Sequence, residues 1–366
     1  MLASEKYVIN MGPQHPSTHG GMHLEVTLDG EFIDNVVVHL GYDHRSIEKI
    51  AESRTYIQFM PYASRLDYLS SNLPAMAYCQ AVEKLMNIEV TERAEYIRVI
   101  MAEFNRIASH LLFVGALCQD LGATTALAYC MREREKILNL IEMTGGQRML
   151  SSYMRIGGVS DDLPPEFFPA AEAFLKGVPN LISEIEGLVS GNEIFQHRMK
   201  NTGVISKEDA IKWTLTGPNL RAAGVPFDIR KAEPYGVYDR FTFEVPTADK
   251  SDNWNRYLLR LREIEQSASI VRQALDGLPE GDFRTKIPRV LKPAKGAEVY
   301  HRIEGAKGEL GFYLLSDGTE RPQRMHVRAP SFINLMVLPI MSKGERIQDL
   351  ICDIATLDPV LGECDR

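Results

Sequence analysis

Three short stretches near the N-terminus carry the pattern of strands. Residues 6–10 (KYVIN), 22–29 (MHLEVTLD) and 31–40 (EFIDNVVVHL) alternate apolar and polar positions or run apolar with β-branched side chains. A period of two puts one face of each stretch against a core. The Asp29-Gly30 pair between the last two predicts a tight turn, hence a small antiparallel sheet. A short helix is predicted to start near Asp43, in GYDHRSIEKIAES. From about Arg65 to Met199 the period becomes helical. In TERAEYIRVIMAEFNRIASHLLFVGALCQDLG, the residues Ile97, Ile100, Met101, Phe104, Ala108, Leu111, Leu112 and Gly115 fall on one stripe. Thr91 is the expected N-cap and Gly122 the expected stop. A second long helix, TTALAYCMREREKILNLIEMTGG, ends on a glycine pair, and residues 165–199 predict a third across Pro179. Short links between long helices imply an antiparallel bundle.

Residues 200–250 are rich in Gly, Pro and turn formers and predict long surface excursions that cover something or touch another chain. A helix over 252–276 returns to the bundle, residues 297–330 predict strands around a second Asp-Gly turn, and a last helix precedes DPVLGECDR. There is no internal repeat and no low-complexity tract. The expected fold class is α+β: an N-terminal β-sheet region over 1–55, a helical bundle over 56–200, extended loops over 201–250 and a C-terminal α+β region over 251–366.

Composition narrows the function. With 366 residues, 45% hydrophobic and 25% charged, the chain can bury a large core. A net charge of −8 without basic runs argues against nucleic acid. The apolar runs 111–118 and 335–341 are too short to span a bilayer, and the first ten residues lack the pattern of a secretory signal. The expectation is a cytoplasmic-side protein whose membrane association comes through partners. Five cysteines without a CxxC pair predict neither a disulfide framework nor a zinc or iron–sulfur site held by this chain alone.

Two features raise chemical questions. GPQHPSTHG places His15 and His19 four residues apart on a turn broken by Pro16. No Cys, Asp or Glu stands nearby to complete a ligand set, so metal binding is not expected. Glu103, Arg106 and His110 form a row beside the apolar stripe, which is either a solvated face or a subunit interface.

The stretches GPQHPSTHGGMHLEVTLDGEFI, GYDHRSIEK, RLDYLS, AVEKL, RVIMAEFNRIASHLL, TGPNLRAAGV and GECDR occur in one order along the whole chain. In this the sequence resembles the family of D subunits of proton-translocating NADH–quinone oxidoreductase, respiratory complex I. That family is similar to the nickel–iron hydrogenase large subunit, which holds its metals with RxCxxC and DPCxxCxxH. Here Arg65-Leu66-Asp67-Tyr68-Leu69-Ser70 lacks both thiolates. In the tail, Val360 and Glu363 stand where thiolates would be and Arg366 where the histidine would be, with Cys364 one residue out of register. Nickel chemistry needs those thiolates, so the resemblance implies a hydrogenase-like frame without its metal.

The resemblance also implies a quinone headgroup held between His19 and Tyr68, with Asp120 paired to His19. The chemistry is coherent, because reducing a quinone adds two electrons and two protons, and each proton needs a donor within about 3 Å of a carbonyl oxygen. Read without the family, Asp120 is a solvated acid before a glycine stop. Arg45 would face the [4Fe–4S] cluster of a neighbouring subunit, or else pair with Glu48 on its own helix; Arg65 would order the tyrosine turn through its carbonyls. His15, Pro16 and Thr18 would shape their turn. The implied substrate is ubiquinone or menaquinone; NADH, FMN and the Fe–S clusters would belong to partners. Those partners are a B-like small Fe–S subunit, a C-like subunit, an I-like cluster carrier, and H-like and A-like membrane subunits, with the chain peripheral on the cytoplasmic face of the inner membrane. The rival reading is a metal-free scaffold that only assembles the complex. Ile156 and Ser331 depart from a proline and a glycine common in the family, and Cys364 is also less usual, with a thiol open to oxidation.

Overall fold

The computed structural model of the chain describes residues 6–15, 18 and 20–366. Strands β1 (Lys6–Met11), β2 (His23–Asp29) and β3 (Phe32–His39) form an antiparallel sheet in that order. Its register pairs Ile9 with Val26 and Val26 with Val36. The alternation seen in the sequence turns Leu24, Val26 and Leu28 inward. Gly30, at a φ of 64°, makes the turn between β2 and β3.

Next come α1 (Ile47–Ser53), α2 (Tyr56–Ala63), α3 (Asn72–Met86), α4 (Glu92–Asp120) and α5 (Thr124–Gly145). Thr91 occupies the N-cap of α4 in an extended conformation, but its hydroxyl makes no capping bond. The stop is as expected: Gly122 takes a φ of 83°, and Gly122 and Ala123 return their N–H groups to Gln119 and Cys118. A two-residue hairpin, β4 (Met154–Arg155) and β5 (Gly158–Val159), precedes α6 (Phe167–Ile185). The helix expected over 165–199 is divided. Pro179 is tolerated inside α6, but a π-helical turn at Glu186–Ser190 leads to Gly191, and Asn192 caps a separate α7 (Glu193–Met199) through Phe195 N–H.

The 200–250 segment carries three short helices, α8 (Lys207–Lys212), α9 (Gly217–Ala222) and α10 (Ile229–Ala232), followed by the long α11 (Asn253–Asp276). Strands β6 (Glu298–Glu304), β7 (Glu309–Ser316) and β8 (Pro322–Arg328) form a second three-stranded antiparallel sheet. The chain closes with α12 (Pro330–Leu335), α13 (Leu338–Met341), α14 (Ile347–Leu357) and α15 (Leu361–Cys364).

Two cores result. The larger joins α3–α6, α11 and the β6–β8 sheet. The smaller joins the inner face of β1–β3 to Leu335, Leu338, Leu350, Leu357 and Leu361. Residues 344–347 extend the first sheet at the β3 edge: Gly344 N–H bonds the Ile33 carbonyl at 2.8 Å, and Ile33 N–H bonds the Glu345 carbonyl at 2.8 Å.

Helix α4 is buried on every side. Among the described residues it is the helix long and apolar enough to cross a membrane, yet 89% of that stretch is covered by the rest of the chain. This overturns both readings of the charged row, which is neither a solvated face nor a subunit interface. Glu103 accepts from Arg106, from Arg230 at 3.1 Å, and from Tyr238 and Ser267 at 2.6 Å each. Burial opposes its charge, but the two guanidinium groups and two hydroxyls outweigh that and hold it at about 2. Arg106 also donates to the carbonyls of Glu304 and Gly305 at 2.7 Å each, fastening β6 to the helix. His110 bonds Glu263 at 2.9 Å, and Glu263 and Glu304 share Arg221 at 2.7 Å. Burial lowers His110 to about 4, so it is neutral at physiological pH.

Glu103→Ala leaves Arg106 and Arg230 buried without their shared carboxylate. The expected loss of stability is roughly 3–5 kcal/mol, read as a lowered denaturant midpoint; an unmoved midpoint would show the network to be idle.

Candidate functional site

The tail that follows α14 organises the region where the sequence placed its chemistry. It begins at Asp358, held in the left-handed region at a φ of 57°. Lys307 fixes that turn, bonding Asp358 at 2.5 Å and Ser109 of α4 at 2.9 Å. At the far end Asp365 accepts from the N–H groups of Gly41 and Asp43, both at 2.8 Å, and its carbonyl meets His44 Nδ1 at 2.7 Å. The tail is thus tied to the central helix at one end and to the 40–46 loop at the other.

Tyr68 sits in the turn after α2. Asp67 shapes this turn by accepting from the N–H of Leu69 at 3.0 Å and of Ser70 at 3.2 Å, with a further short bond to the Ser70 hydroxyl. The ring of Tyr68 lies on Gly362. A side chain there would come within 3.0 Å of the ring and 2.9 Å of the Leu66 carbonyl, so the position has room only for glycine. The ring is half-buried, and its hydroxyl has no hydrogen-bond partner among the described residues. Burial, then Asp67, Asp43 and Cys364, push the phenol up, and Arg45 pulls it down.

His19, with Pro16 and Ser17, lies outside the described residues. Its neighbours are placed. Thr18 is buried, and its hydroxyl donates to the His15 carbonyl at 2.9 Å, in keeping with a role in shaping the turn. A methyl group on Gly20 would approach the Leu361 side chain to 2.9 Å, and one on Gly21 the Asp43 carboxylate to 3.1 Å. The Tyr68 ring and the residue next to His19 therefore rest on consecutive tail residues, Gly362 and Leu361. Asp120 is the last residue of α4 and is half-buried.

Arg45 does not pair with Glu48. It donates to the carbonyls of Gly362 at 2.9 Å and Arg65 at 3.2 Å, and among the described residues it forms no ion pair with a carboxylate. Glu48 is taken instead by Arg324 at 2.9 Å, His326 at 3.0 Å, Arg366 at 3.3 Å and the Val327 N–H at 2.9 Å. Arg65 does not order the tyrosine turn; its guanidinium reaches back to the Pro61 carbonyl at 2.8 Å and across to that of Leu150 at 3.3 Å. Arg45 and Arg65 line a cleft of about 490 Å³ floored by Ile47, Ile50, Pro61 and Tyr62.

Two acids escape the sequence reading, Asp43 and Asp365, and Glu363 is read there only as standing in place of a thiolate. Glu363 is fully buried and accepts from the Ser331 N–H at 2.9 Å. Burial and the nearby charge of Asp67 push it up to about 8. The Ser331 hydroxyl accepts from Val360 N–H at 3.1 Å, a bond no glycine could make, so this departure is wired into the tail. The only signal for these acids was their density around GYDHR and GECDR. Cys364 is buried, and burial pushes its thiol far up, which protects it from the oxidation its exposure would invite. All five thiols are buried, and burial pushes Cys79, Cys118, Cys130 and Cys352 to about 12. Among the described residues no group of three or more His, Cys, Asp or Glu is placed to hold a metal ion.

Comparison with known proteins places this architecture. The family model described as "Respiratory-chain NADH dehydrogenase, 49 Kd subunit" matches residues 120–297 and 289–366. The D subunit of the NADH-quinone oxidoreductase of Clostridium beijerinckii is 52% identical, covering 100% of this chain and 98% of the relative. Its counterpart in Desulfitobacterium hafniense is 51% identical over 99% of this chain and 98% of its own length, and the D 2 subunit of Rhizobium etli is 47% identical over 100% and 96%. The chain is thus a mixed α+β subunit of a respiratory oxidoreductase complex. It belongs to the D-subunit family of NADH–quinone oxidoreductase, the 49 kDa subunit of respiratory complex I.

Two variants check the geometry. Gly362→Ala drives a methyl group into the Tyr68 ring and a fixed carbonyl, and should cost roughly 1–3 kcal/mol of stability, seen in the unfolding midpoint. For Glu363, the folded chain holds its proton up to about 8, whereas an unfolded chain releases it near 4.5. Stability from this group is therefore full below the lower value and is lost as pH rises through the higher one. Glu363→Gln should flatten that decline, so its melting temperature changes less than the wild type's between about pH 4.5 and 8.

Proposed function

We propose that the chain forms one wall of the pocket in which quinone is reduced, with Tyr68 and His19 as the two proton donors. A quinone of either class, ubiquinone or menaquinone, presents two carbonyl oxygens across one ring. A donor at each end supplies the two protons that accompany two electrons in forming quinol. The observation that carries this reading is the seating of the Tyr68 ring on Gly362, one residue from Leu361, which packs against the loop that bears His19. The phenol is held protonated by burial and by the carboxylates around it. It therefore keeps its proton at neutral pH and yields it only to a strong base such as the reduced ring.

Asp120, at the end of α4, is the proposed partner of His19, orienting the imidazole and favouring its charged form. Arg45 is proposed to face the [4Fe–4S] cluster of a small Fe–S subunit. Its guanidinium, bonded to two carbonyls, would favour the reduced, more negative cluster, and the apolar cleft beside it would seat that partner. In this reading the frame is that of a nickel–iron hydrogenase large subunit. Val360 and Glu363 have replaced thiolates, and an organic ring occupies the place of the metals. H-like and A-like membrane subunits would complete the quinone channel, and C-like and I-like subunits the peripheral arm. The chain would lie on the cytoplasmic face of the membrane, its turnover coupled to proton translocation through recharging of His19 and Tyr68. The four regions 1–55, 56–200, 201–250 and 251–366 are proposed as its functional divisions.

Tyr68→Phe removes the phenolic proton with little change of shape. In the purified complex it should leave subunit content and cluster reduction intact and lower quinone turnover by roughly 10²-fold or more. Full turnover would instead make the chain a scaffold.

A further inference from the structure

Between α11 and β6 the chain crosses the surface as an irregular, basic strap. Residues 283–292 read FRTKIPRVLK, so Arg284, Lys286, Arg289 and Lys292 stand close together with no acid among them, on a chain whose net charge is −8. All four are exposed. Among the described residues none of the four makes an ion pair or a side-chain hydrogen bond. Glu89, Glu280 and Asp282 are exposed nearby and pair with none of them. The next base, Lys295, lies against Gly318 beside Asp317 and is not counted with them.

The main chain beneath these charges is fixed. Arg93 donates to the Pro279 carbonyl at 2.7 Å, and the Phe283 carbonyl accepts from Val159 N–H at 3.2 Å. Thr285 bonds the Gly157 carbonyl through its N–H at 2.7 Å and the Glu89 carbonyl through its hydroxyl at 2.9 Å. At the other end the Ser316 hydroxyl donates to the Pro293 carbonyl at 3.3 Å, and the Ser316 carbonyl accepts from Gly296 N–H at 2.8 Å. Phe283 and Ile287 pack against the larger core, and Leu291 is buried in it. The apolar residues thus turn inward and the bases outward, in a row at most about 30 Å long. Held together they repel one another, a cost that an opposite charge would remove.

We propose that this strap is a docking surface for a carboxylate-rich face of another subunit of the complex. The inference is independent of the quinone reading and needs only membership of a multisubunit complex. Like charges confined on a rigid main chain are complemented by an acidic face, and the guanidinium groups of Arg284 and Arg289 suit carboxylates through paired bonds. An anionic bilayer fits less well. A membrane-binding patch couples its bases to apolar or aromatic side chains that enter the lipid. Here Phe283, Ile287 and Leu291 face the core, and Val290 is the large apolar residue turned out.

The test is cross-linking of the assembled complex with a water-soluble carbodiimide, which joins a lysine amine to a carboxylate in direct contact. Lys286 or Lys292 should be recovered bound to an Asp or Glu of another subunit. Arg284→Glu combined with Arg289→Glu leaves the lysines in place and should lower the salt concentration that releases the chain from the complex by about twofold or more. Arg284→Lys with Arg289→Lys keeps the charge and should keep the wild-type release point. Because these side chains are exposed and bear no bond, the reversed chain should fold; if it does not, Arg284→Gln with Arg289→Gln is scored in the same way. Cross-links confined to this chain, or a release point unmoved by the charge reversal, overturn the proposal. An unmoved release point with less phosphatidylglycerol retained by the purified complex would assign the strap to the membrane surface and overturn it likewise.

Discussion

A charge placed inside a protein must be met by an opposite charge or by several hydrogen bonds, and that requirement organises this chain. Helix α4 runs through the middle of the larger core carrying Arg98, Glu103, Arg106 and His110, all fully buried. Meeting them recruits groups from far along the sequence: Asp228 and Arg230 near α10, Glu263 on α11, and the carbonyls at the end of β6. Elements that could otherwise slide over an apolar surface are held at fixed positions, because moving one would strip a charge of its partner.

The same requirement reaches the candidate site. Ser109, on the buried helix, shares Lys307 with Asp358, and Asp358 opens the tail. From there the backbone passes Gly362, where the Tyr68 ring rests, and ends its run at Asp365, which grips Gly41 and Asp43. Core and site are therefore continuous. The tail transmits the position of α4 to the 40–46 loop and the Tyr68 turn, and the glycine at 362 makes room for the Tyr68 ring.

Much of this was legible in the sequence, for reasons that show where legibility stops. Alternation in β2 and the stripe on α4 report which side faces apolar neighbours, and both were placed within a residue or two. Periodicity is silent about what covers the opposite side. The row Glu103, Arg106, His110 thus read as outward-facing, although its distant partners lie 127 to 199 positions downstream. The break between α6 and α7 depends on one capping asparagine and a π-helical turn, which a run of good helix formers conceals. The 200–250 segment looked like loops because its helices are only 6, 6 and 4 residues long, too short to show a period, although Ala210, Leu220 and Ile229 join the cores. For the site, Tyr68 and Arg45 came from motif resemblance. The roles of Asp43 and Asp365 did not, and Glu363 was marked only as the replacement of a thiolate, because an acid's role depends on what it faces across the fold.

The bond from Asp365 to Gly41 closes a loop of 324 positions. The inner face of the first sheet likewise waits for Leu335, Leu350 and Leu361. During synthesis the β1–β3 ribbon therefore leaves the ribosome with its greasy side bare, long before its cover exists. A ribbon with its apolar face uncovered and its edges unpaired is prone to stray pairing. Production of this chain should accordingly be limited at that stage, with a demand for chaperones that falls only once the distal segments emerge and close over the ribbon.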